Sequence, residues 1–265
     1  TEDDYIKNYN KKLHSNSSSR KAYILKGKKL PLATIGVIHE NINLKELKIV
    51  AKEKEVTVTQ YLTATLIYAI YTANYIKHKG SRPIKICIPV DLKKYFRSET
   101  INNFFSYITV ETNMKQVNEF EDILRFVKGD FEKRLSKNEI LKTMSANVRL
   151  GNNLIIKMIP LFLKSIIVRL SYLEIRKYTT TTFSNIGRIG IIGEYKKYIE
   201  KFMILIAPEP VEKIKCSACS FDNELVFTFT STLENTDIEK TFYKQIKKQG
   251  IEISLEGNGV HDIIS

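Results

Sequence analysis

The sequence predicts an α/β protein of the α+β type, in which helices cover one face of a mixed, largely antiparallel sheet. The predicted elements follow the order β-α-α-β-β-α-α-α-β-β-β-β-α, which is neither a strict βαβ alternation nor an all-β pattern. Of the 265 residues, 43% are hydrophobic and 27% are charged. This balance is typical of a globular chain that is long enough to bury a hydrophobic core.

Strands are predicted where apolar and polar residues alternate, or where a short β-branched and aromatic run lies between turn residues. They lie at residues 35–43, 83–90, 104–112, 177–184, 201–208, 213–221 and 224–232. Only Asp222 and Asn223 separate the last two strands, and this spacing predicts a β-hairpin.

Helices are predicted where apolar residues recur three and four positions apart. They lie at residues 44–54, 57–80, 118–135 and 236–249, with one or two more before Ser171. Thr57 or Thr59 can cap the second of these helices, and Gly80 can end it. Asp237 and Glu239 suit the N-terminal end of the last helix, because the helix dipole favours negative charge there.

The two ends of the chain are predicted to lie outside the folded region. Residues 1–30 include the Ser- and Asn-rich stretch His14–Lys21, and we expect them to be a linker, with order beginning at Pro31. Residues 256–265 are expected to form a polar tail. The folded region is therefore assigned to residues 31–255.

The chain is basic, with a formal net charge of +13 from 42 Lys and Arg against 29 Asp and Glu. Such a surplus fits nucleic acid, an anionic membrane or a phosphate-bearing ligand, and it also fits a lysine-rich solvated surface. The basic residues occur in pairs that alternate with acids along the predicted helices. No basic stretch is interleaved with aromatic residues, so we favour solvated helix faces and expect no nucleic-acid partner.

Cysteine usage predicts a reducing compartment. The three cysteines are Cys87, Cys216 and Cys219, and an odd, low count argues against a disulfide framework. Cys216 and Cys219 form a C-x-x-C in a predicted strand, where residues three apart point to opposite faces. No second cysteine pair or nearby histidine completes a zinc site. We expect structural cysteines, no bound metal and a cytoplasmic location.

The most apolar stretch of the sequence is Leu154–Leu173, which is nearly long enough to span a bilayer. Lys157, Lys164 and Arg169 interrupt it, and a spanning helix would leave these charges in hydrocarbon. We therefore expect no transmembrane segment. A buried or interface helix is the favoured interpretation, with contact to a membrane surface as the alternative.

A polar strand end is predicted within the stretch TTTTFSNIGRIG, residues 179–190. The glycines from Gly187 to Gly193 do not follow the G-x-G-x-x-G spacing, and strand-like apolar residues rather than a helix follow, which argues against a phosphate-binding loop. Gly187 permits a positive φ. Ser184 and Asn185 can form the wall of a pocket, or an edge turn that satisfies its own backbone.

The chain itself predicts no catalytic residue. Its four histidines are interpreted as solvated or lying at the edge of the core. No H-E-x-x-H, G-x-S-x-G or Walker motif occurs in the sequence. The sequence therefore contains no self-sufficient acid–base or nucleophilic site.

Several blocks in a fixed order carry a resemblance to a known family. They are KLP (29–31), VTVTQYLTATLIYAI (56–70), PIKICIPVDLKKYFRSETINNFFSYI (83–108), SANVRLGNN (145–153), PLFLK (160–164), TTTTFSNIGRI (179–189) and FTFTSTLENTDIEKTFYKQIKKQGI (227–251). In these blocks the chain resembles the C-terminal half of bacterial alcohol acetyltransferase-like proteins, which belong to the chloramphenicol acetyltransferase-like, condensation-domain superfamily. The resemblance covers about residues 20–255.

The resemblance implies a fold of two similar lobes with a tunnel between them. An acyl thioester enters from one side, and an acceptor alcohol or amine enters from the other. The catalytic base would be a histidine of an H-H-x-x-x-D motif in the N-terminal lobe, which deprotonates the acceptor hydroxyl. This chain has no H-H pair and no H-x-x-x-D. We therefore expect the catalytic lobe to be missing, with residues 1–30 as a linker or remnant of it.

The resemblance also implies which residues face the channel. Four of them match the S-N-x-G segment and the strand before it, one matches the P-V-[ND]-L-[RK] segment, and one lies in the R-N-F-F-like segment. The substrate-binding candidates are Asp91, Asn103, Thr182, Ser184, Asn185 and Gly187.

Two positions depart from the family pattern. Asn102 stands where the R-N-F-F-like segment has a basic residue. Thr59 and Gln60 stand where related wax-ester synthases have Asn-Asp at a helix start, so a polar role there is not implied.

These expectations combine into one functional hypothesis and one alternative. The chain would be the C-terminal lobe of an acyl-CoA-dependent O-acyltransferase, supply one wall of the acyl and acceptor channel, and be inactive alone. Acyl-CoA would be the donor substrate without any covalently bound cofactor, and the N-terminal lobe would be the partner. An isolated lobe would self-associate through its exposed apolar face. The alternative is a non-catalytic interaction or scaffold domain that docks through its sheet edge or its apolar helix.

Overall fold

A computed structural model describes residues 4–13, 20–98, 103–112, 114–152, 158–191 and 193–261. Within these residues the strands are β1 (Gly36–Asn43), β2 (Ile84–Asp91), β3 (Phe105–Thr112), β4 (Thr181–Arg188), β5 (Ile214–Phe221), β6 (Glu224–Ser231) and β7 (Ile253–Gly257). The α-helices are α1 (Asp4–Lys7), α2 (Leu44–Glu53), α3 (Val58–Ile70), α4 (Phe120–Arg134), α5 (Lys137–Asn152), α6 (Leu161–Ile175) and α7 (Asp237–Lys247).

The strands form one sheet in the order β3-β2-β4-β5-β6-β1-β7. β4 runs parallel to both β2 and β5, and the other neighbouring pairs are antiparallel. The carboxyl ends of β2, β4 and β5 therefore lie at one edge of the sheet, and β3 begins at that same edge. We call this the channel edge. The expected mixed, largely antiparallel sheet is confirmed.

The hydrophobic core lies between one face of the sheet and helices α2, α3, α4 and α7. Phe183 and Phe227 contribute from the strands, and both are fully buried. Phe227 stacks on Phe242 of α7 with ring centroids 4.4 Å apart, and Tyr61 of α3 contacts Phe120 of α4. The helices thus cover one face, as the sequence predicts.

Local sequence signals explain where the helices next to this core begin. Thr57 caps α3, because its hydroxyl accepts from the backbone N–H of Gln60 while the Gln60 side chain accepts from the N–H of Thr57. Asn43 caps α2 in a similar way through the backbone N–H groups of Lys45 and Glu46. Both caps lie on elements that carry or adjoin the channel edge.

The other face of the sheet is crossed by residues 201–206, which we call the crossing segment. The Ser217 hydroxyl donates to the carbonyl of Ile204 over 2.5 Å, and the Thr230 hydroxyl donates to the carbonyl of Ile206 over 2.5 Å. The Cys219 thiol donates to the carbonyl of Phe202 over 3.1 Å. Side chains of β5 and β6, rather than backbone groups, therefore hold this segment.

The predicted strand at residues 201–208 is wrong. The segment is not part of the sheet, because its alternate carbonyls are satisfied by side chains standing on the sheet face. Side-chain burial alternates along this segment because the chain is extended against the sheet face. Residues 202, 204 and 206 are half-buried, while Met203 and Leu205 are exposed. Burial that alternates from residue to residue is found in an extended chain lying on a surface as well as in a paired strand.

Both predicted ends of the folded region need correction. Tyr23 and Leu25 are buried, and the Tyr23 hydroxyl donates to the Asn74 side chain over 2.8 Å, so residues 22–25 pack on the core and order does not begin at Pro31. At the other end, Ile253–Gly257 forms the edge strand β7, which continues into the predicted polar tail. His261 within that tail is buried. Residues 14–19 of the predicted linker lie outside the described part.

Helix α6 occupies the described part of the apolar stretch, and it is exposed rather than buried. Leu161 is 81% exposed, Phe162 67% and Leu170 62%. Within the part of the chain described here, no helix has the length and apolar character needed to cross a membrane. Residues 153–157 of the apolar stretch lie outside the described ranges.

Candidate functional site

The candidate site is built on β4, which lies in the middle of the sheet. β2 pairs with β4 only at Ile86 with Thr181 and at Cys87 with Thr182. β5 continues alongside β4 as far as Arg188. From Phe183 onwards, β4 therefore has a described strand partner on the β5 side alone.

A β-bulge interrupts β4 at the sequence-predicted polar end. The register with β5 shifts between Asn185 and Gly187, and Gly187 has a φ of +82°. The Asn185 side-chain carbonyl accepts from the backbone N–H of Gly187 over 2.9 Å. The strand does not end at Ser184-Asn185, as the sequence predicts, but continues through the bulge to Arg188. Bulges of this kind re-aim neighbouring side chains.

The Asn185 side chain is held at both ends. While its oxygen accepts from Gly187, its amide nitrogen donates to the Thr59 hydroxyl over 3.0 Å. Thr59 lies in the first turn of α3, two residues after the cap Thr57. This contact connects the bulge of β4 to the N-terminus of α3, and it fixes the orientation of the amide. The sequence does not predict this role of Thr59, because the hydrogen bond joins residues that lie far apart in the chain.

Ser184 has a different environment from Asn185. It lies on the opposite face of β4, directly across from Ser217 of β5, and it is half-buried. Within the described residues, its hydroxyl makes no hydrogen bond to protein. The hydroxyl is therefore free to donate to or accept from a ligand.

Thr182 faces a group of charged side chains. Its hydroxyl donates to Glu212 over 2.7 Å, and Glu212 is buried, which raises the pKa of its carboxyl. Lys215 and Arg176 lie beside this pair and both contact Glu209, at 2.5 Å and 3.1 Å. The Thr182 hydroxyl therefore already has a hydrogen-bond partner within the protein, whereas the Ser184 hydroxyl has none among the described residues.

Cys87 lies beside Thr182 in the paired part of β2. Burial, reinforced by the charge of Glu212, raises the pKa of the Cys87 thiol to about 12. The thiol is therefore neutral at physiological pH and is a poor nucleophile. Burial also raises the pKa of Cys216 and Cys219. That the cysteines are structural stays a prediction. The burial of the three thiols favours it.

Asp91 and Asn103 lie at the same channel edge, at the end of β2 and just before β3. Both are exposed. The Asp91 carboxylate accepts from the backbone N–H of Lys93 over 3.0 Å and caps a short 3₁₀ turn. The backbone carbonyl of Asn103 accepts from the Tyr5 hydroxyl over 3.5 Å. No described hydrogen bond joins these two residues to the bulge. Topology places Asp91, Asn103 and the bulge toward one edge, whereas Thr182, the second residue of β4, bonds to Glu212 near the amino ends of β4 and β5. Asn102 lies outside the described residues.

The channel edge offers hydroxyl and amide groups and the exposed Asp91 carboxylate, but no described histidine. The described histidines are bonded elsewhere: His39 to Thr228, His78 to the carbonyl of Asn74, and His261 to the carbonyl of Leu233. Burial also lowers the pKa of His39. In the part of the chain that is described, no three His, Cys, Asp or Glu side chains are grouped to hold a metal ion. The described edge can orient a substrate by hydrogen bonds, and the described histidines bond to residues away from it.

Solved structures with a similar fold come from peptide-synthesising enzymes. The epimerization domain of tyrocidine synthetase B matches with a TM-score of 0.56 and 12% identity, over 88% of this chain and 52% of that one. The nonribosomal peptide synthetase FmoA3 matches with a TM-score of 0.55 and 10% identity, over 87% and 23%. The cyclization-docking bidomain of EpoB from Sorangium cellulosum matches with a TM-score of 0.53 and 11% identity, over 89% and 45%.

These likenesses show the fold alone, which is similar to that of the epimerization and cyclization domains of these peptide synthetases. The chain spans about half of the first of these structures and less of the other two. No protein-family model matches the sequence, and no curated protein matches it either. The fold expected from the sequence blocks is therefore confirmed, while the specific relation to alcohol acetyltransferases stays a prediction.

Proposed function

We propose that this chain is the C-terminal lobe of an acyl-CoA-dependent O-acyltransferase of the alcohol acetyltransferase type. The channel edge would supply one wall of the tunnel in which acyl donor and acceptor meet. The observation that carries the proposal is the Asn185 amide, which two hydrogen bonds fix at the β4 bulge toward the carboxyl ends of parallel strands, while the unbonded Ser184 hydroxyl lies on the other face of β4. Polar groups held in place at such an edge suit substrate positioning.

In this proposal the two lobes have different roles, because no described histidine lies at the channel edge. Transfer of an acyl group to an alcohol needs a base that takes the hydroxyl proton as oxygen attacks the thioester carbonyl. The described histidines are engaged away from the channel edge. The base would therefore come from a second lobe, in an H-H-x-x-x-D motif, and a cytoplasmic acyl-CoA would be the donor. This chain would orient the substrates and would not transfer the acyl group alone.

An acetyl-transfer assay tests the proposal. Acetyl transfer from acetyl-CoA to a primary alcohol would be measured for this chain alone and for the chain joined to the lobe that its gene encodes upstream. We expect transfer only by the joined protein. Transfer by this chain alone would contradict the proposed division between the lobes. Within the active protein, Asn185→Ala should lower the rate, while Asn118→Ala, which changes an exposed asparagine in the connection between β3 and α4, should not.

A non-catalytic interaction domain is the second candidate, and one observation favours it. The exposed apolar residues of α6 extend along the whole helix, from Leu161 at 81% exposure to Ile175 at 65%. A helix that is apolar on every side is normally covered by other protein. An upstream sequence without H-H-x-x-x-D would favour this candidate over the enzyme.

A further inference from the structure

A cavity of about 250 Å³ lies at the end of the sheet opposite the channel edge. Its lining includes Pro83, which directly precedes β2, and the fully buried Thr112, which ends β3. Thr112 pairs with Ile84 at the start of β2, whereas Asp91 at the other end of β2 lies at the channel edge. An eight-residue strand, about 25 Å long, therefore separates the cavity from the candidate site. The proposed acyl channel does not account for this cavity.

One wall of the cavity is held in shape by Tyr75 and Gly80. The backbone N–H of Gly80 donates to the carbonyl of Tyr75 over 2.9 Å. Gly80 lies so close to the Tyr75 ring that a Cβ at this position would come within 2.3 Å of it. The same ring contacts Tyr23 edge-on, with centroids 4.9 Å apart. The turn after Gly80 is therefore fixed against an immobilised ring, and Ser81 and Arg82 line the cavity from this turn.

The cavity carries more positive than negative charge. Arg20 and Arg82 line it, and Glu111 is the one acid among its described lining residues. The Glu111 carboxylate already contacts Arg20 Nη2 at 2.9 Å and the Nζ of the buried Lys85 at 3.3 Å. Arg82 belongs to no ion pair within the described ranges. Three cations thus share one carboxylate, which leaves a surplus of two positive charges.

The acids around the cavity do not offset this surplus. Asp130 accepts from a backbone N–H of β3 over 2.9 Å, and its carboxylate is paired with Arg134 at 2.8 Å. Glu174 contacts the ammonium of Lys21, the residue after Arg20, at 2.8 Å. Each of these carboxylates already has a cation of its own, so the cavity keeps its positive charge.

We propose that this cavity binds a phosphate group, either as the free ion or on a small phosphorylated molecule. A guanidinium group presents its N–H donors as a fork that matches the oxygens of a phosphate, and Arg20 and Arg82 supply two such groups. A phosphate monoester carries a charge of about −1.5 to −2 at pH 7, which balances the surplus. A carboxylate would leave one positive charge uncompensated, so the charge of the cavity favours phosphate.

Two hydroxyl groups and the size of the cavity fit the same ligand. The hydroxyls of Ser81 and Tyr75 make no hydrogen bond to the described residues, and both side chains line the cavity. Burial raises the pKa of Tyr75, so its phenol keeps the proton that it would donate to a phosphate oxygen. Pockets for drug-sized ligands measure about 300–1,000 Å³. This cavity is smaller, and it therefore suits a phosphate group with the few atoms attached to it.

Titration calorimetry of the whole chain with inorganic phosphate, at low ionic strength and in a buffer without phosphate or sulfate, tests the proposal. We expect saturable binding of one phosphate per chain. Arg82→Gln should weaken it about tenfold or more, because charge-assisted hydrogen bonds are lost. Arg82→Lys, which keeps the charge but not the fork, should weaken it less. The matched control is Arg97→Gln, which removes an exposed arginine near the other end of β2 and should leave the affinity unchanged.

Two further titrations of the wild type identify the ligand. Acetate should bind at least about tenfold more weakly than phosphate, since it carries one charge instead of nearly two. Glycerol 1-phosphate that binds more tightly than inorganic phosphate would identify a phosphorylated molecule as the ligand, and weaker binding would identify the free ion.

Three results would overturn the proposal. The first is the absence of saturable binding at millimolar phosphate, and the second is equal affinity for acetate and phosphate. The third is an equal loss of affinity in Arg82→Gln and Arg97→Gln, which would show an adventitious ion only, attracted by the net charge of the chain.

Discussion

The Asn185 amide donates to the Thr59 hydroxyl over 3.0 Å, across 126 positions of sequence. The contact joins the bulge of β4 to the first turn of α3, and it orients the amide at the channel edge. A hydrogen bond of this kind contributes about 1 kcal/mol to stability. It is also the contact on which the proposed positioning role of Asn185 depends.

A double-mutant cycle between Thr59 and Asn185 should reveal this coupling. Thr59→Val removes one hydrogen bond, while Asn185→Ala also removes the bond to the backbone of Gly187, so the second change should cost more. In the Asn185→Ala background, Thr59→Val should cost little, with a coupling free energy of about 1 kcal/mol in urea unfolding. Thr59→Ser keeps the hydroxyl and serves as the control. Purely additive single effects would show that the two side chains do not interact.

Gly187→Ala should destabilise the lobe by about 1 kcal/mol, because an L side chain rarely adopts the positive φ of this position. A Cβ at Gly187 would have no heavy atom within 4 Å, so the cost comes from the backbone and not from a clash. Gly190→Ala is the matched control: it also has open space and does not need a positive φ. Equal midpoints for the two variants in thermal unfolding would argue against a strained bulge.

Ser217→Ala and Thr230→Val should loosen the crossing segment. Each removes a hydroxyl that donates to a carbonyl of the segment, Ile204 or Ile206, and we expect each to cost about 1 kcal/mol of local stability. Limited proteolysis should then cut between residues 201 and 208 faster than in the wild type. Ser184→Ala, on the same face but without a described hydrogen bond, should leave the cleavage rate unchanged.

The chain should self-associate through α6, since water is a poor solvent for so many exposed apolar side chains. Light scattering over a concentration series should show dimers or larger species, and Ile166→Gln combined with Leu170→Gln should shift the series toward monomer. Ile49→Gln changes an apolar residue on α2 that is 57% exposed and should have no effect. A wild-type monomer at high concentration would contradict this expectation.

The sequence predicts those parts of the fold that depend on neighbours along the chain. Thr57 is one of the two caps that the sequence offers for α3, and Asp222-Asn223 predicts the β5–β6 hairpin, with Asp222 in the left-handed region at a φ of +49°. These features succeed because hydrogen bonds and dihedral preferences within a few residues decide them. The same is true of the positive φ at Gly187.

Features that depend on distant partners could not be predicted. The crossing segment has the polarity of a strand, but Ser217 and Thr230 on other strands determine how its carbonyls are satisfied. β7 contains few apolar residues and is placed by its pairing with β1. At the candidate site, the sequence identifies Asn185 and Ser184, whereas the contact of Asn185 with Thr59 and that of Thr182 with Glu212 require the folded chain.

The narrow junction between β2 and β4 has a mechanical consequence. The two strands pair at only two positions, supplemented by hydrogen bonds between Thr180 and Lys85, whereas every other seam of the sheet is longer. A force that bends the sheet meets its least resistance along this line. The β2–β3 ribbon is thus joined to the rest of the sheet by its shortest seam, which ends at Thr182 before the bulge.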